Sequence, residues 1–267
     1  MSATEDSPLL IDVQGGVARL TLNRPQRLNA LTEPMIRQAI AALTNIAQDP
    51  AIGCVLITGA GKGFCAGGDV TMMSAGPNAE LTHEQQVDRQ RDIHGWSRLL
   101  YEMPKITLAA VNGACAGAGL GLALACDLRL ASSAAKFTTA FAKVGFSGDF
   151  GITWPLARLL GEAKAKELLF FSEQLSAEQA CALGLVSRVV APEALLDEAQ
   201  ALAQRLASGP RLAYRYIKEN IRAAATETYA ELLDREGYTQ RRCAATADHR
   251  EGVAAFMEKR APRFSGS

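Results

Sequence analysis

The amino-acid sequence predicts an α/β fold in which units of strand, glycine-rich loop and helix stack as a spiral of related layers. Two short apolar segments, at residues 52–58 and 105–111, indicate buried strands, and each runs into glycine-rich sequence. These two units lie about fifty residues apart, as repeated layers would. From residue 193 onward the pattern is helical. We therefore expect a layered core at 1–205 and a helical region at 206–267.

Length and composition exclude several classes of protein. The chain has 267 residues and 48% apolar content, which is enough for a substantial buried core. Lys plus Arg equals Asp plus Glu at 28 each, so the overall charge does not favour nucleic acid or an anionic membrane surface as a partner. The acidic start MSATEDSPLL and the lack of a long apolar run predict neither a signal peptide nor a membrane span. We expect a cytoplasmic protein.

Local signals predict the elements of the first hundred residues. A Gly-Gly pair at 15–16 lies between two alternating apolar segments, which indicates an antiparallel hairpin. Thr32 precedes a Glu-Pro pair and predicts a helix start, and apolar residues at helical spacing continue to Asp49. Small and polar residues at 70–83 predict a loop. Residues 81–101 predict one long helix that leads to the second buried strand.

The second half of the chain continues the same alternation. A further glycine-rich loop is predicted at 142–151. Ser176 and Gln179 form a capping-box pattern for a short helix, and an edge strand is predicted at 185–190. The helical region that follows has an apolar side that needs a partner, either the core or another subunit, and it contains Tyr214, Ile217, Ile221, Leu232 and Phe256.

The most informative stretch lies at 110–131, AVNGACAGAGLGLALACDLRLA, directly after the second buried strand. Gly117, Ala118 and Gly119 leave the backbone nearly bare, and the apolar residues that follow predict a helix that starts there. Free N–H groups and the positive end of the helix dipole would face a ligand at this turn. An anion, or an oxygen that becomes negative during a reaction, is the expected guest.

A second glycine-rich loop, GAGKGFCAGGD at 59–69, follows the first buried strand. Two such loops can direct two backbone N–H groups at one carbonyl oxygen, which is an oxyanion hole. For a thioester this arrangement polarises the carbonyl and stabilises the enolate that forms when an alpha proton leaves. The alternative is that these glycines only permit tight turns and close packing.

Nucleotide-binding and histidine-based interpretations fit poorly. A phosphate-binding loop would need glycine at Leu56 and Ser or Thr at Gly63. Tyr214 and Lys218 have the spacing of a dehydrogenase pair, but a packing tyrosine beside a solvated lysine explains them on an amphipathic helix. No serine occupies a nucleophile elbow, and solvated or capping roles are expected for His83, His94 and His249.

The six cysteines contain no C-x-x-C pair. We therefore expect buried free thiols rather than disulfides or a zinc site. Cys65 is the one cysteine whose reactivity is of interest.

The chain resembles the crotonase (enoyl-CoA hydratase/isomerase) superfamily in five ordered segments: NRPQRLNAL at 23–31, GKGFCAGGD at 61–69, AVNGACAGAGLGLALACD at 110–127, LSAEQACALGLVSRVV at 175–190 and EGVAAFMEKRAPRF at 251–264. The resemblance implies a crotonase-like α/β spiral of ββα units with a C-terminal helical trimerisation region. It further implies homotrimers or dimers of trimers. The implied substrates are acyl-CoA thioesters, so coenzyme A belongs to the substrate and no separate cofactor is expected.

The resemblance also implies site residues by position. The oxyanion amides would belong to Gly68 and Ala118, in agreement with the reading of both loops. The implied substrate-binding and coenzyme A-binding residues are Arg27, Leu28, Ala30, Ala66, Gly67, Asp69, Phe256 and Lys259. The last two match an adenine-end contact that a neighbouring subunit can supply, although a solvated helix charge would also explain Lys259.

The departures from the family pattern bear on the reaction. Hydratases of the family carry two glutamates, and the matching positions here are Gly121 and Phe141. Asp149 remains, and its flanking sequence is most similar to the subgroup that contains the ring-epoxide isomerase of phenylacetyl-CoA catabolism and related enoyl-CoA isomerases. An aspartate at this position is the catalytic base of that subgroup.

The aromatic residues around Asp149 predict its environment. Phe146, Phe150 and Trp154 would enclose the carboxylate, and desolvation favours its protonated form. We therefore expect Asp149 to move a proton between two carbons of an enolate, which is double-bond or ring isomerisation. The alternatives are a hydratase that works through Asp149 alone or a water chain, a catalytically silent acyl-CoA binder, and a merely turn-forming Asp149.

Overall fold

The computed structural model describes residues 7–69 and 81–266. In chain order its strands are β1 (Leu9–Gln14), β2 (Val17–Leu22), β3 (Cys54–Gly59), β4 (Gly63–Cys65), β5 (Ile106–Val111), β6 (Ala114–Ala116), β7 (Leu128–Ser132), β8 (Lys136–Thr138), β9 (Leu175–Ser176) and β10 (Arg188–Val190). The longer strands form a six-stranded sheet in the order β1-β2-β3-β5-β7-β10. Only the predicted β1–β2 hairpin is antiparallel in this sheet.

The glycine-rich segments build a second sheet, in the order β4-β6-β8-β9. Strands β4 and β6 lie inside segments whose sequence predicts loops; β4 pairs in parallel with β6, and β6 pairs in parallel with β8. Each long strand is therefore followed by a short one, which gives the units β3–β4, β5–β6 and β7–β8. This arrangement confirms the predicted α/β spiral of layers.

The α-helices of the described residues are α1 (Glu33–Gln48), α2 (His83–Ile93), α3 (Gly95–Glu102), α4 (Ala118–Ala125), α5 (Thr153–Phe171), α6 (Ala177–Ala182), α7 (Leu195–Ala207), α8 (Arg211–Ala223), α9 (Tyr229–Ala244) and α10 (Ala247–Met257). Within these ranges no helix has the length and apolar content that crossing a bilayer requires. Thr32 is the N-cap of α1, and Ser176 caps α6 through the predicted box with Gln179. Both caps confirm local sequence signals.

The long helix predicted at 81–101 is instead two helices that meet at His94. Helix α3 packs on α1 and buries Trp96 and Leu100 completely, whereas α2 buries none of its residues. At the junction a Cβ on Gly95 would lie only 3.2 Å from Ile40 Cδ1, so the chain approaches α1 closely there. Most of the loop predicted at 70–83 lies outside the described residues.

The core lies on both faces of the large sheet. On one face α1 and α3 to α6 cover a cluster that includes Trp96 and Phe137. On the other face α7 places Ala199 and Ala203 against Leu56 and Leu108 of the central strands. Small residues on α7 permit this close packing, and burial of apolar surface supplies the main stabilisation.

A buried ion pair fastens α8 to the core of the same chain. The Nζ of Lys218 donates to Asp127 Oδ2 at 2.8 Å and to the carbonyl oxygens of Leu100 and Lys105. Lys218 is only 8% exposed, so the sequence interpretation of a solvated lysine is wrong. The amphipathic pattern of α8 did not reveal this contact because Asp127 lies 91 residues earlier in the chain.

The C-terminal helices leave apolar surface uncovered in the single chain. Ile217, Ile221 and Phe256 are 54%, 70% and 82% exposed. A cavity of about 610 Å³ lies where α8 faces the C-terminal end of α4 and the start of α5, and Trp154 and Leu159 line it with the two isoleucines. This is the apolar side for which the sequence predicts a partner.

Replacement of Lys218 by alanine should destabilise the fold. The change removes one member of a buried pair and leaves two backbone carbonyls without their donor, which costs about 3 kcal/mol in the free energy of unfolding. Urea unfolding of Lys218→Ala measures this loss. Lys164→Ala breaks an exposed pair with Glu167 and should leave the urea midpoint unchanged. Equal midpoints for the two variants would contradict a stabilising role for the Lys218 contacts.

Candidate active site

The two glycine-rich loops predicted to form a site do meet in space. A Cβ placed on Gly67 would lie 3.1 Å from the carbonyl oxygen of Ala116 and 3.7 Å from the amide nitrogen of Ala118. Gly67 also has φ +100°, which side chains rarely adopt. The segment at 66–69 therefore lies directly beside the start of α4, and only glycine fits at the contact.

The chain direction at Gly68 orients its amide. Leu31 N donates to Gly67 O at 2.8 Å, and Asp69 N donates to Leu31 O at 3.1 Å. The N–H of Gly68 belongs to the same trans peptide group as the carbonyl of Gly67 and points the opposite way, so it faces away from Leu31. This leaves it outside the hydrogen bonds that hold the loop to residue 31.

The amide of Ala118 is the first of α4. The first intrahelical bond runs from Gly121 N to Gly117 O, so the N–H groups of the preceding turn have no partner within the helix. The N–H of Gly117 donates to Thr138 O at 3.1 Å. The N–H of Ala118 thus lies at the positive end of α4, beside the loop that carries Gly68.

The segment at 24–31 wraps around the same loop. Leu28 O accepts from Ala66 N at 2.9 Å, which joins the two motifs. Asn29 is fully buried, and its amide donates to the carbonyl oxygens of Ala60 and Gly63. Of the residues predicted to contact coenzyme A, Arg27 and Leu28 are exposed and Ala30 is half-buried. The structure brings these three residues and Ala66 together.

Asp69 anchors the loop. Its Oδ2 accepts from Arg24 Nη2 at 2.9 Å, and the same guanidinium donates to Ala30 O at 2.7 Å. Asp69 is 9% exposed, so the pair is largely shielded from water. These contacts give Asp69 a structural task beside Gly68.

The surroundings of Asp149 differ from the expected apolar enclosure. Phe150 is buried, but Phe146 and Trp154 are 52% and 42% exposed, so that prediction is wrong for two of its three aromatic residues. The reason is that the loop turns the carboxylate towards α2. There Gln90 Nε2 donates to both carboxylate oxygens at 2.9 and 2.8 Å, and His94 Nε2 contacts Oδ1.

Helix α4 approaches the Asp149 segment very closely. A Cβ on Gly121 would lie 2.9 Å from Phe150 Cβ and 3.3 Å from Asp149 O. Ala118 and Gly121 are three residues apart and share one face of α4, with about 4.5 Å of rise between them. The Asp149 backbone and the Ala118 amide are therefore near neighbours. Phe141, only 7% exposed, lies near Gly117 at the same helix end.

Phe256 and Lys259 lie apart from these loops, at the C-terminal end of the chain. Phe256 is an exposed residue of α10 and lines a cavity of about 370 Å³ with Leu212 and Phe264. Lys259 follows α10 with φ +54°. The single chain thus gathers all of the predicted site residues except these two.

Cys65 is not a nucleophile of this site. Burial raises the pKa of its thiol to about 12, and its Sγ lies 3.9 Å from Gly67 O. All six cysteines are free thiols, and four of them are buried. Within residues 7–69 and 81–266 no cluster of His, Cys, Asp and Glu could hold a metal ion. The expectation of buried free thiols is confirmed for Cys54, Cys65, Cys115 and Cys126.

Sequence reasoning missed four residues that shape the site. Arg24 and Asn29 hold the loops, whereas Gln90 and His94 hold Asp149. His94 does lie at the cap position between α2 and α3, as a capping role predicts, but its imidazole also contacts Asp149. A signal was present, because residues four apart on a helix share one face, and Gln90 and His94 have that spacing.

Comparisons with known proteins agree with this geometry. The family model described as enoyl-CoA hydratase/isomerase matches residues 12–267. A 1,2-epoxyphenylacetyl-CoA isomerase of Escherichia coli (strain K12) is 43% identical over 258 residues, which cover 97% of this chain and 98% of that protein. A crotonyl-CoA hydratase of Syntrophomonas wolfei is 37% identical over 261 residues, with 96% and 97% covered.

Solved structures show the same architecture. The crystal structure of an enoyl-CoA hydratase from Polaromonas sp. JS666 has a TM-score of 0.90 at 38% identity, covering 96% of this chain and 98% of that one. The enoyl-CoA hydratase from Bacillus anthracis has a TM-score of 0.90 at 31% identity, with 98% and 100% covered. The relatives thus bear the names of both isomerases and hydratases.

Gly121→Ala should destabilise the protein although alanine favours helices. Its Cβ would overlap Phe150, and overpacking of this kind costs about 1–3 kcal/mol in the free energy of unfolding. Gly237→Ala is the matched control, because Gly237 is an exposed residue of α9 with open space around its Cβ position. The free energy of unfolding of Gly237→Ala should rise by about 0.5–1 kcal/mol. Urea unfolding of both variants measures the two effects, and a gain for both would contradict the close approach.

Thiol labelling checks the burial of the cysteines. Burial raises the pKa of Cys54 and of Cys126 to about 12, and that of Cys115 well above its usual value. At pH 8 an aromatic disulfide reagent should react with no more than the partly exposed Cys181 and Cys243 of the native protein. All six thiols should react in denaturant. Rapid labelling of Cys65 in the native protein would contradict the packing of α4 on this loop.

Proposed function

We propose that this chain, which belongs to the enoyl-CoA hydratase/isomerase family, shifts a double bond, or isomerises a ring, in an unsaturated acyl-CoA. The thioester carbonyl would accept hydrogen bonds from the amides of Gly68 and Ala118. Asp149 would carry the proton. No metal or redox cofactor takes part in this chemistry.

The reaction we propose has two proton transfers. Asp149 removes a proton from a carbon next to the unsaturated system, and the bonding electrons move into the thioester to form an enolate. The two amides stabilise the negative oxygen. Because they are already in place, this stabilisation needs no rearrangement of the protein during the reaction. Asp149 then returns the proton to a carbon two positions away, and the carbonyl re-forms. Atoms and charge balance without a co-reactant.

Our preference for isomerisation rests on the close approach of Phe150 to Gly121. Hydratases of the family act through two carboxylates, and here the first position has no space for a side chain because Phe150 lies 2.9 Å from its Cβ position. The second position holds the buried ring of Phe141. One carboxylate, Asp149, replaces both, and a single acid–base group is sufficient to move a proton from one carbon to another.

A hydratase is the second candidate. The side chain of Asp149 is 26% exposed, so a water molecule can reach it, and the Syntrophomonas wolfei relative is named a crotonyl-CoA hydratase. Water addition would then use Asp149 alone or a water chain. A silent acyl-CoA binder is less well supported, because such a protein has no need for a carboxylate held by three donors from two elements.

The same proposal assigns substrate binding and assembly. Arg27, Leu28 and Ala30 would follow the coenzyme A chain, and Ala66, Gly67 and Asp69 would flank the thioester. Phe256 and Lys259 would contact the adenine end from a neighbouring copy, because they lie apart from the loops of their own chain. The helical region at 206–267 would therefore build a homotrimer or a dimer of trimers, and the exposed isoleucines of α8 support this. We place the enzyme in the cytoplasm.

Asp149→Asn should abolish isomerisation. Incubation of the protein with a 3-enoyl-CoA should produce the ultraviolet absorbance of the conjugated 2-enoyl thioester, and loss of the acid–base group should slow this rise by about 100-fold or more. Asp88→Asn, an exposed acid of α2 paired with Arg91, is the control and should match the wild type. Loss of absorbance from a 2-enoyl-CoA without any rise from the 3-enoyl compound would instead support the hydratase.

A further inference from the structure

We propose that His94 and Gln90 are positioning residues that hold one oxygen of Asp149 and leave the other to carry the proton. The inference rests on the proposed role of Asp149 as the base. It adds two residues of α2 and its C-terminal junction to the machinery of the reaction, and it assigns different tasks to Oδ1 and Oδ2.

The position of His94 is firmly set by the backbone. Its N–H donates to Gln90 O at 3.2 Å in the last turn of α2, and its carbonyl accepts from Arg98 N at 3.0 Å and Ser97 Oγ at 3.1 Å in the first turn of α3. The next residues of α3 include the fully buried Trp96. Burial of α3 therefore fixes the point from which the imidazole reaches Asp149.

The imidazole has one apolar and two polar neighbours. Its edge meets the ring of Phe150 with the centroids 5.7 Å apart and the planes at 66°. Its Nε2 contacts Asp149 Oδ1 and lies 3.3 Å from Gln90 Nε2. An Nε2 that donates to the carboxylate has no lone pair left to accept with, so the approach of the two nitrogens is a contact and not a further hydrogen bond.

The donors are distributed unequally over the carboxylate. Oδ1 accepts from Gln90 Nε2, from the backbone N–H of Phe150 at 2.9 Å and from His94 Nε2. Among residues 7–69 and 81–266, Oδ2 accepts from Gln90 Nε2 alone, at 2.8 Å. A carboxylate oxygen has about two lone-pair sites, so Oδ1 is saturated and Oδ2 keeps a free one. Oδ2 is therefore the atom that takes the substrate proton and gives it back.

The protonation state of His94 follows from this arrangement. An ionised carboxylate only accepts hydrogen bonds, so the contacting Nε2 must carry a hydrogen and Nδ1 is unprotonated in the neutral ring. The imidazole thus orients the carboxylate, in the reverse of the usual order in which an aspartate orients a histidine base. His94 never exchanges a proton with the substrate in this scheme.

The first test measures proton abstraction itself. Deuterium uptake from heavy water at carbon 2 of a 3-enoyl-CoA, followed by mass spectrometry, reports abstraction whether or not the double bond moves. His94→Ala should lower kcat for uptake by about 10- to 100-fold with KM within about twofold, as expected for a misplaced base. His94→Asn keeps a donor and should recover most of the rate. His83→Ala, an exposed histidine of α2, should match the wild type.

The outcomes separate this inference from the proposed function. Uptake without net isomerisation would remove the isomerase assignment and leave the role of His94 intact. Equal kcat in His94→Ala and wild type, no recovery of the rate in His94→Asn, or no uptake by the wild type would each overturn the inference.

A second test needs no substrate. The chain has three histidines, and nitrogen-15 labelling of their rings distinguishes the two neutral tautomers by NMR. The signal that disappears in His94→Asn should show hydrogen on Nε2, and it should shift in Asp149→Asn. A tautomer with hydrogen on Nδ1 would overturn the assignment of Oδ1 as the held oxygen.

Discussion

The close contact between α4 and the segment of Asp149 and Phe150 is the constraint on which the candidate site depends. Helix α4 is buried along its whole length, and at Gly121 nothing larger than hydrogen fits against Phe150. The helix start that carries the Ala118 amide and the loop that carries Asp149 are thereby held together. The same packing removes the space for a carboxylate at position 121. The contact that holds Asp149 near Ala118 therefore excludes an acidic side chain at position 121.

Polar contacts then hold the Asp149 carboxylate and the helix α2 that faces it. The carboxylate of Asp149 faces donors from α2, and α2 itself is attached to α1 through the ion pair of Arg89 with Glu33. A helix without buried residues is thus placed by charges and by the buried helix α3 that follows it. Neutral donors hold a carboxylate in one orientation without the full charge that would oppose its protonation.

The C-terminal helices combine two kinds of surface. Lys218 and Asp127 bind α8 to its own core through a largely dehydrated contact, whereas Ile217 and Ile221 on the same helix remain exposed. Removal of apolar area from water would stabilise a complex with a further copy by roughly 25 cal/mol per Å² before the costs of association. The helical region therefore combines an attachment within the chain with exposed apolar surface.

The sequence by itself determined the local elements, the order of the layers and the two glycine-rich loops. Helix starts at Thr32 and Ser176 depend on side chains within a few residues, and the apolar periodicity of strands and helices is equally local. Asp149 and Gln90 are 59 positions apart in the chain, and Lys218 and Asp127 are 91 positions apart. Only the tertiary structure decided these pairings, because a polar residue on a helix face has the same local pattern whether water or a distant partner meets it.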